Sequence, residues 1–176
     1  LIIYMGSAIL LGSIIGSYGS VLVSEEIVNI IYAGLATIAA IMMFIPKKEI
    51  ELKGELVFNK PLATFLALVI GVFSGIVGAG GGFLLVPIML VVLNIPTRIT
   101  IATSLAITFI SSLGSSFGKI ISDQVLWEPT IIMIIASIIA APLGAIIGKR
   151  INIKILKITL ALLIAITALK VVVDLL

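Results

Sequence analysis

A cluster of glycines interrupts the longest uncharged stretch of the chain, at GAGGG (Gly78–Gly82). Glycine costs about 1 kcal/mol per helical position relative to alanine, so this cluster should unwind a helix. A second helix that begins near Gly82 and Phe83 would direct its unpaired N–H groups and the positive end of its dipole into the break, where they could bind an anion. The predicted backbone donors are Gly78, Gly80, Gly81 and Gly82, and Ser74 adds a hydroxyl one turn earlier.

The same glycines could instead serve helix packing. Gly71 and Gly75 show the G-x-x-x-G spacing of closely packed membrane helices, and the cluster after them could have that role alone. The pairs Gly12/Gly16 and Gly144/Gly148 have the same spacing. A glycine-rich loop can also bind dinucleotides, but only between a strand and a helix of a βαβ unit, which this apolar stretch does not offer. The sequence therefore leaves an anion site and a packing role open.

The stretch after the break carries a ladder of hydroxyl groups. At 100° per residue, five of them fall within an arc of about 80° on one helix face: Thr100, Ser104, Thr108, Ser111 and Ser115. Hydroxyls can donate to an anion, and in lipid they cost less than Lys or Arg. The best candidates for anion contact are Thr103, Ser104 and Thr108, which lie nearest mid-depth or the break. Alternatively, these hydroxyls bond to the carbonyl one turn earlier or join neighbouring helices.

Composition shows what kind of element must position these groups. The chain is 61% apolar and 11% charged with a mean hydropathy of +1.41, whereas soluble domains are roughly 45–50% apolar and about 25% charged. About 20 apolar residues cross a bilayer as a helix. Charge-free runs of that length occur at 1–24, 27–46, 61–97, 99–118 and 129–148, and a sixth apolar run at 155–173 is interrupted by Lys157 near its start and by Lys170 near its end. We therefore predict an all-α, polytopic transmembrane helix bundle.

Basic residues indicate how the glycine-broken run 61–97 is threaded. If it crosses once, the loops on the two sides carry five and six basic residues. If two half-helices enter and return, nine lie on one face and only Lys119 and Lys170 on the other. The second asymmetry is typical of a cytoplasmic face, so we predict a re-entrant helix.

An internal repeat gives the domain organisation. With an offset of 128 residues, 16–42 aligns with 144–170, and the odd number of passages per repeat predicts that the repeats are inverted. We expect the last two helices of a truncated first repeat at 1–46, a cytoplasmic linker at 47–60, and a complete second repeat at 61–176. The chain opens inside an apolar helix, so we also expect that its natural N-terminus is missing.

Several function classes are excluded or disfavoured. The pI near 9.3 comes from basic residues in short loops, which orient helices, so no nucleic-acid partner is expected. Cysteine and histidine are absent, which removes thiol nucleophiles and the commonest metal ligands. We predict no catalytic residues, no metal and no cofactor, and no carboxylate deep in a span to relay protons. An intramembrane enzyme is the least expected class.

The stretch Gly71–Lys119 resembles the sulfite exporter TauE/SafE family of membrane permeases. The family pattern G-x-x-S-G-x-x-G-x-G-G-G-x-x-x-x-P is matched by Gly71, Ser74, Gly75, Gly78, Gly80, Gly81, Gly82 and Pro87. The motif A-T-S-L follows at Ala102–Leu105, and A-P-L-G at Ala141–Gly144.

The resemblance implies transport of sulfite, a sulfonate or another sulfur-containing or organic anion across the cytoplasmic membrane of a prokaryote. We expect the anion to bind near mid-membrane and rigid-body rocking to expose the site alternately to each side. An anion channel and a membrane scaffold or assembly subunit are the alternatives. The expected partners are the anion and the lipid bilayer, and a homo-oligomer is left open.

Overall fold

The computed structural model describes residues 1–45 and 58–151, together with 155, 158–159, 162–163, 165–166 and 170. These residues form helices and connecting turns without a strand, which confirms the predicted all-α class. The main helices are α1 (Ile2–Gly19), α2 (Glu25–Phe44), α3 (Lys60–Val77), α4 (Gly82–Val91), α5 (Thr97–Ile121) and α6 (Trp127–Arg150). Most of the predicted linker 47–60 and much of the C-terminal end of the predicted repeat lie outside the described residues.

Among the described residues, five helices are long and apolar enough to cross a membrane: α1, α2, α3, α5 and α6. They coincide with the charge-free runs, so the prediction of a polytopic bundle is confirmed. The fourth helix has only ten residues, about 15 Å of helix, and so covers half a bilayer. Its shortness follows from the glycines before it and the turn that ends it.

Local sequence explains where α3 begins and ends. The Asn59 side chain accepts a hydrogen bond from the backbone N–H of Leu62 at 3.2 Å, and Pro61 occupies the first turn, where its missing N–H costs nothing. At the other end Gly78 has a φ of +80°, and its N–H donates to the Ser74 carbonyl at 2.8 Å. This left-handed glycine closes the helix and turns the chain.

Helix α1 packs directly on α3 through glycines. A Cβ on Gly71 would lie 2.5 Å from the Ile9 carbonyl oxygen, and a Cβ on Gly75 would lie 2.7 Å from the Ser17 backbone nitrogen. The order of these contacts shows that the two helices run in the same direction. The packing roles predicted for Gly71, Gly75, Gly12 and Gly16 are confirmed, whereas no atom of the described residues lies within 4 Å of a Cβ on Gly144 or Gly148.

Helix α5 packs on another side of α1, also in the same direction. Gly114 lies against Ser13 and Gly118 against Ser17, whose hydroxyl donates to the Ser115 carbonyl at 3.2 Å. Small residues again allow close approach. Since α1, α3 and α5 are parallel, the chain runs out along α3, back along α4 and out again along α5.

The returning helices α2 and α4 lie together. The buried face of α2 consists of the alanines Ala33, Ala36, Ala39 and Ala40, and Tyr32 meets Phe83 edge to face with ring centroids 5.7 Å apart. Helix α6 differs from the rest, because its described side chains are exposed except for the partly covered Thr130.

The segment that the sequence predicts to be two half-helices has arms of unequal length. Helix α3 has 18 residues and could cross a membrane by itself, whereas α4 has ten. The reversal of direction between α3 and α4 agrees with a segment that enters and returns, whereas the length of α3 exceeds that of a half-helix. Its re-entrant course within a bilayer and the inverted repeats stay predictions.

Candidate functional site

The glycine turn, defined here as residues 78–82, joins α3 to α4 in a conformation that favours glycine. Gly78, Gly80 and Gly81 have φ values of +80°, +66° and +73°. A residue with a Cβ pays roughly 1–2 kcal/mol to adopt this left-handed region. The predicted unwinding is confirmed: helix α3 ends at Val77 and α4 begins at Gly82.

One face of α5 lies along the glycine turn. A Cβ placed on Gly80 would lie 2.7 Å from the Ser112 hydroxyl oxygen, and one on Gly82 would lie 3.1 Å from that of Thr108. Because residues four apart on a helix share a face, Thr108 and Ser112 present their hydroxyls side by side. The turn therefore contacts a polar strip of α5.

Ser74 approaches the turn from the opposite side. A Cβ on Gly81 would lie 3.2 Å from the Ser74 hydroxyl oxygen. That hydroxyl is buried, with Ser74 only 1% exposed, and has no hydrogen-bond partner. A buried polar group without a partner costs about 1–3 kcal/mol, so its presence beside the turn needs a reason.

The backbone of the turn adds further donors. None of the backbone hydrogen bonds found in the described ranges uses the N–H groups of Gly80, Gly81, Gly82 or Phe83. No side chain caps α4 at Gly81, so its first N–H groups and the positive end of its dipole are unopposed. Gly80 and Gly81 are buried. The turn thus gathers donors in a place where water is scarce.

Two further buried hydroxyls on α5 have no partner, those of Ser111 and Ser115. Ser111 is fully buried and Ser115 is 5% exposed. Both belong to the predicted hydroxyl ladder, and Ser115 follows Ser112 by three residues on the strip that contacts the turn. Unpaired hydroxyls therefore continue along the helix beyond the turn.

Most of the predicted site residues come together here. The structure places Ser74, Gly80, Gly81, Gly82 and Thr108 in one cluster, and puts Gly78 at its exposed end. Thr103 and Ser104 lie further along α5. Their hydroxyls donate to carbonyls of their own helix, Thr103 to Ile99 at 2.7 Å and Ser104 to Ile101 at 3.2 Å. These two residues follow the structural alternative noted from the sequence.

Sequence reasoning did not select Ser112, although its side chain is the one nearest to Gly80. The signal was its helical spacing of four from Thr108. In the part of the chain that the structure describes, no group of three or more His, Cys, Asp or Glu residues is placed to hold a metal ion. The cluster offers neutral donors, which suit an anion.

The comparisons with known proteins agree with these features. Two relatives are the "Probable membrane transporter protein YunE" of Bacillus subtilis, 34% identical over 89 residues, and the "Probable membrane transporter protein MJ0441" of Methanocaldococcus jannaschii, 30% identical over 95 residues. Each alignment covers 51% of this chain, and 33% and 36% of the respective relative. No solved structure matches the chain significantly.

The family comparison covers nearly the whole sequence. The sequence pattern described as sulfite exporter TauE/SafE matches residues 1–171, which include all six helices and the glycine turn. The chain therefore belongs to the sulfite exporter TauE/SafE family.

Proposed function

We propose that the glycine turn binds a small sulfur-containing or organic anion, such as sulfite or a sulfonate, which the protein moves across the cytoplasmic membrane. The observation that carries this proposal is the buried, unpartnered Ser74 hydroxyl beside Gly81, in a turn where the Gly80 and Gly81 N–H groups make none of the backbone hydrogen bonds found among the described residues. Oxygens of an anion would accept these hydrogen bonds and remove the cost of leaving buried donors unpaired.

The chemistry of the cluster suits transport better than tight storage. Hydroxyls and backbone N–H groups stabilise an anion without a full positive charge at mid-depth, so the anion can leave as readily as it arrives. The α4 dipole adds a partial positive charge at the same point. Ser74, Ser112 and Thr108 would surround the anion from two helices.

Alternating access would need one group of helices to rock against another. The parallel helices α1, α3 and α5 are joined by close glycine contacts, while α2 carries buried alanines and contacts α4 through the Tyr32 and Phe83 rings. The proposed site would have side chains of α3 and α5 on one side and the backbone N–H groups at the start of α4 on the other, which suits a transporter whose binding groups come from both helix groups. The relatives' names support transport but name no substrate.

The test is uptake of radiolabelled sulfite, sulfate and a small sulfonate into vesicles that contain the protein, its Gly81→Leu variant or its Ser74→Ala variant. We expect saturable uptake of at least one anion, which Gly81→Leu lowers at least about tenfold by filling the donor cluster. Gly34→Leu is the matched control, because no atom lies within 4 Å of a Cβ on Gly34.

The same experiment separates the alternatives. Flux that saturates and shows counterflow supports a transporter, whereas flux without counterflow indicates a channel. If Gly81→Leu prevents folding, Ser74→Ala still tests the site, because it removes one hydroxyl that has no partner to lose. No uptake of any anion under several ion gradients, with a correctly folded protein, would contradict the proposal and favour the scaffold.

A further inference from the structure

We propose that Lys119 is the charged recognition residue of the anion route, binding the anion at the Gly78 end of the glycine turn. This inference rests on the proposed function of that turn. It assigns to Lys119 a role beyond that of a charge that orients a helix. Three observations support it: the position of Lys119, its neutral partners and the exposure of the turn.

Lys119 continues the polar strip of α5 that contacts the turn. Thr108, Ser112 and Lys119 are spaced by four and seven residues, which places them on one helix face. A Cβ on Gly78 would lie 3.9 Å from the Lys119 Cε atom, just as Gly80 lies against Ser112 and Gly82 against Thr108. The cation and the two hydroxyls thus follow the turn in order, about 10 Å and then 6 Å apart along the axis.

The turn changes from exposed to buried in the same direction. Gly78 and Ala79 are exposed, whereas Gly80 and Gly81 are buried. Lys119 therefore lies at the exposed end of the turn, and the neutral donors lie at its buried end. A positive charge at the opening would attract an anion, and the uncharged donors would accept it at depth.

The partners of Lys119 leave its charge uncompensated. The ammonium donates to the Ser20 hydroxyl at 2.7 Å and to the Gln124 side-chain carbonyl at 2.6 Å, both neutral. No ion pair joins Lys119 to a carboxylate in the described ranges, and the nearby Asp123 is exposed. Charges inside a membrane segment usually pair with one another or with backbone carbonyls, and an anionic substrate would supply a charged partner here.

The ammonium also has a donor to spare. Lysine carries three N–H groups, and the two hydrogen bonds to Ser20 and Gln124 use two of them. Its flexible stem can turn toward a ligand without moving the helix. Ser20 itself donates to the Ser17 carbonyl at 2.6 Å, so the hydroxyl that accepts the hydrogen bond from Lys119 is fixed to the end of α1.

The absence of cysteine from the sequence allows a chemical test. Lys119→Cys removes the ammonium. Treatment with 2-bromoethylamine then forms a C–S bond to the cysteine and releases bromide, which gives a thioether side chain that again ends in an ammonium. Iodoacetamide forms a C–S bond in the same way and releases iodide, but leaves a neutral amide. Thioethers are stable to sulfite, whereas disulfides are not.

We expect Lys119→Cys to raise the half-saturating anion concentration about tenfold or more in the vesicle uptake experiment, as for the loss of a charged hydrogen bond. Aminoethylation should restore it to within about threefold of the original, and carbamidomethylation should not. Lys60→Cys is the matched control: Lys60 is an exposed cation at the far end of α3, 5.5 Å from the Tyr4 ring. In Lys60→Cys the half-saturating anion concentration should change little, and treatment with either reagent should leave it unchanged.

Each outcome is decisive. An unchanged half-saturating concentration in Lys119→Cys, alongside saturable and Gly81-sensitive flux, overturns the role of Lys119 and leaves the glycine turn as the site. Equal recovery with both reagents shows that bulk rather than charge matters, and also overturns it. Absence of saturable flux from the unmodified protein overturns the proposed function, and the inference with it.

Discussion

Glycines have different roles in two regions of this molecule, the contact between α1 and α3 and the glycine turn. Where α1 meets α3, the glycines are helical and the space of their missing side chains is filled by backbone of the other helix, as at Gly75 beside Ser13 and Ser17. In the glycine turn, Gly78, Gly80 and Gly81 have positive φ. Three of its glycines lie against hydroxyl groups: Gly80, Gly81 and Gly82. The comparison shows that the atoms around a glycine, rather than the residue type, indicate its role.

The two regions also differ in energy. Close helix contact gains van der Waals packing along its length and stabilises the bundle. The turn gains little of this and leaves buried N–H and hydroxyl groups without acceptors, each at a cost of about 1–3 kcal/mol. Such local cost is typical of sites whose groups are held ready for a ligand. Substitutions in the two regions test this contrast.

The largest effect on stability is expected from Gly75→Ala. Its Cβ would overlap the Ser13 carbonyl oxygen and lie 2.7 Å from the Ser17 nitrogen, and backbone atoms cannot move aside without separating the helices. We expect a loss of about 3 kcal/mol or more, measured by unfolding in detergent. The matched Gly34→Ala meets open space and should be neutral or slightly stabilising. Equal stability of the two variants would remove the contrast between the regions.

A smaller effect on stability and a large one on transport are expected from Gly80→Ala. The left-handed φ costs roughly 1–2 kcal/mol, and the new methyl would press on the Ser112 hydroxyl, 2.7 Å away. We expect uptake to fall at least about tenfold while the protein still folds. Adding Ser112→Gly should recover part of the stability, because it removes the contacted atom, but not the uptake. Full uptake in Gly80→Ala would place the anion elsewhere.

The smallest effects are expected from single hydroxyls of α5. Thr108→Ala removes a donor beside Gly82 and should raise the half-saturating anion concentration about fivefold, as for one lost hydrogen bond. Ser104→Ala should raise it less, because that hydroxyl already donates to the Ile101 carbonyl. Both are measured by concentration-dependent uptake, with folding checked by unfolding temperature. Unchanged kinetics in both variants would contradict a hydroxyl path.

Much of the fold follows from sequence because it depends on local rules. The length of apolar runs predicts the spanning helices, and the conformational preference of glycine predicts the break after Val77. The same rule locates Gly80 and Gly81 at the site. These properties need no knowledge of which helices are neighbours.

The remaining site residues depend on tertiary packing. The sequence reveals a polar arc on α5 but not which part of it faces the turn, so Ser112 and Lys119 were not selected whereas Thr103 and Ser104 were. The contact of Gly80 with Ser112 exists only because α4 returns alongside α5. The unequal arms of the broken segment likewise depend on α3 packing along α1 for its full length.

The alanine face of α2 has a consequence for motion. Alanine has no side-chain rotamers, so sliding past Ala33, Ala36 and Ala40 requires no rotamer change in these residues. Of the contacts between α2 and α4 described above, the one between the Tyr32 and Phe83 rings would have to shift. The α1–α3 contact resists such sliding, because each glycine there packs closely against backbone atoms of the other helix. Shear between packed helices is a recognised form of conformational change. In this molecule the alanine face belongs to α2, which packs against α4, the helix that begins at the donors of the glycine turn.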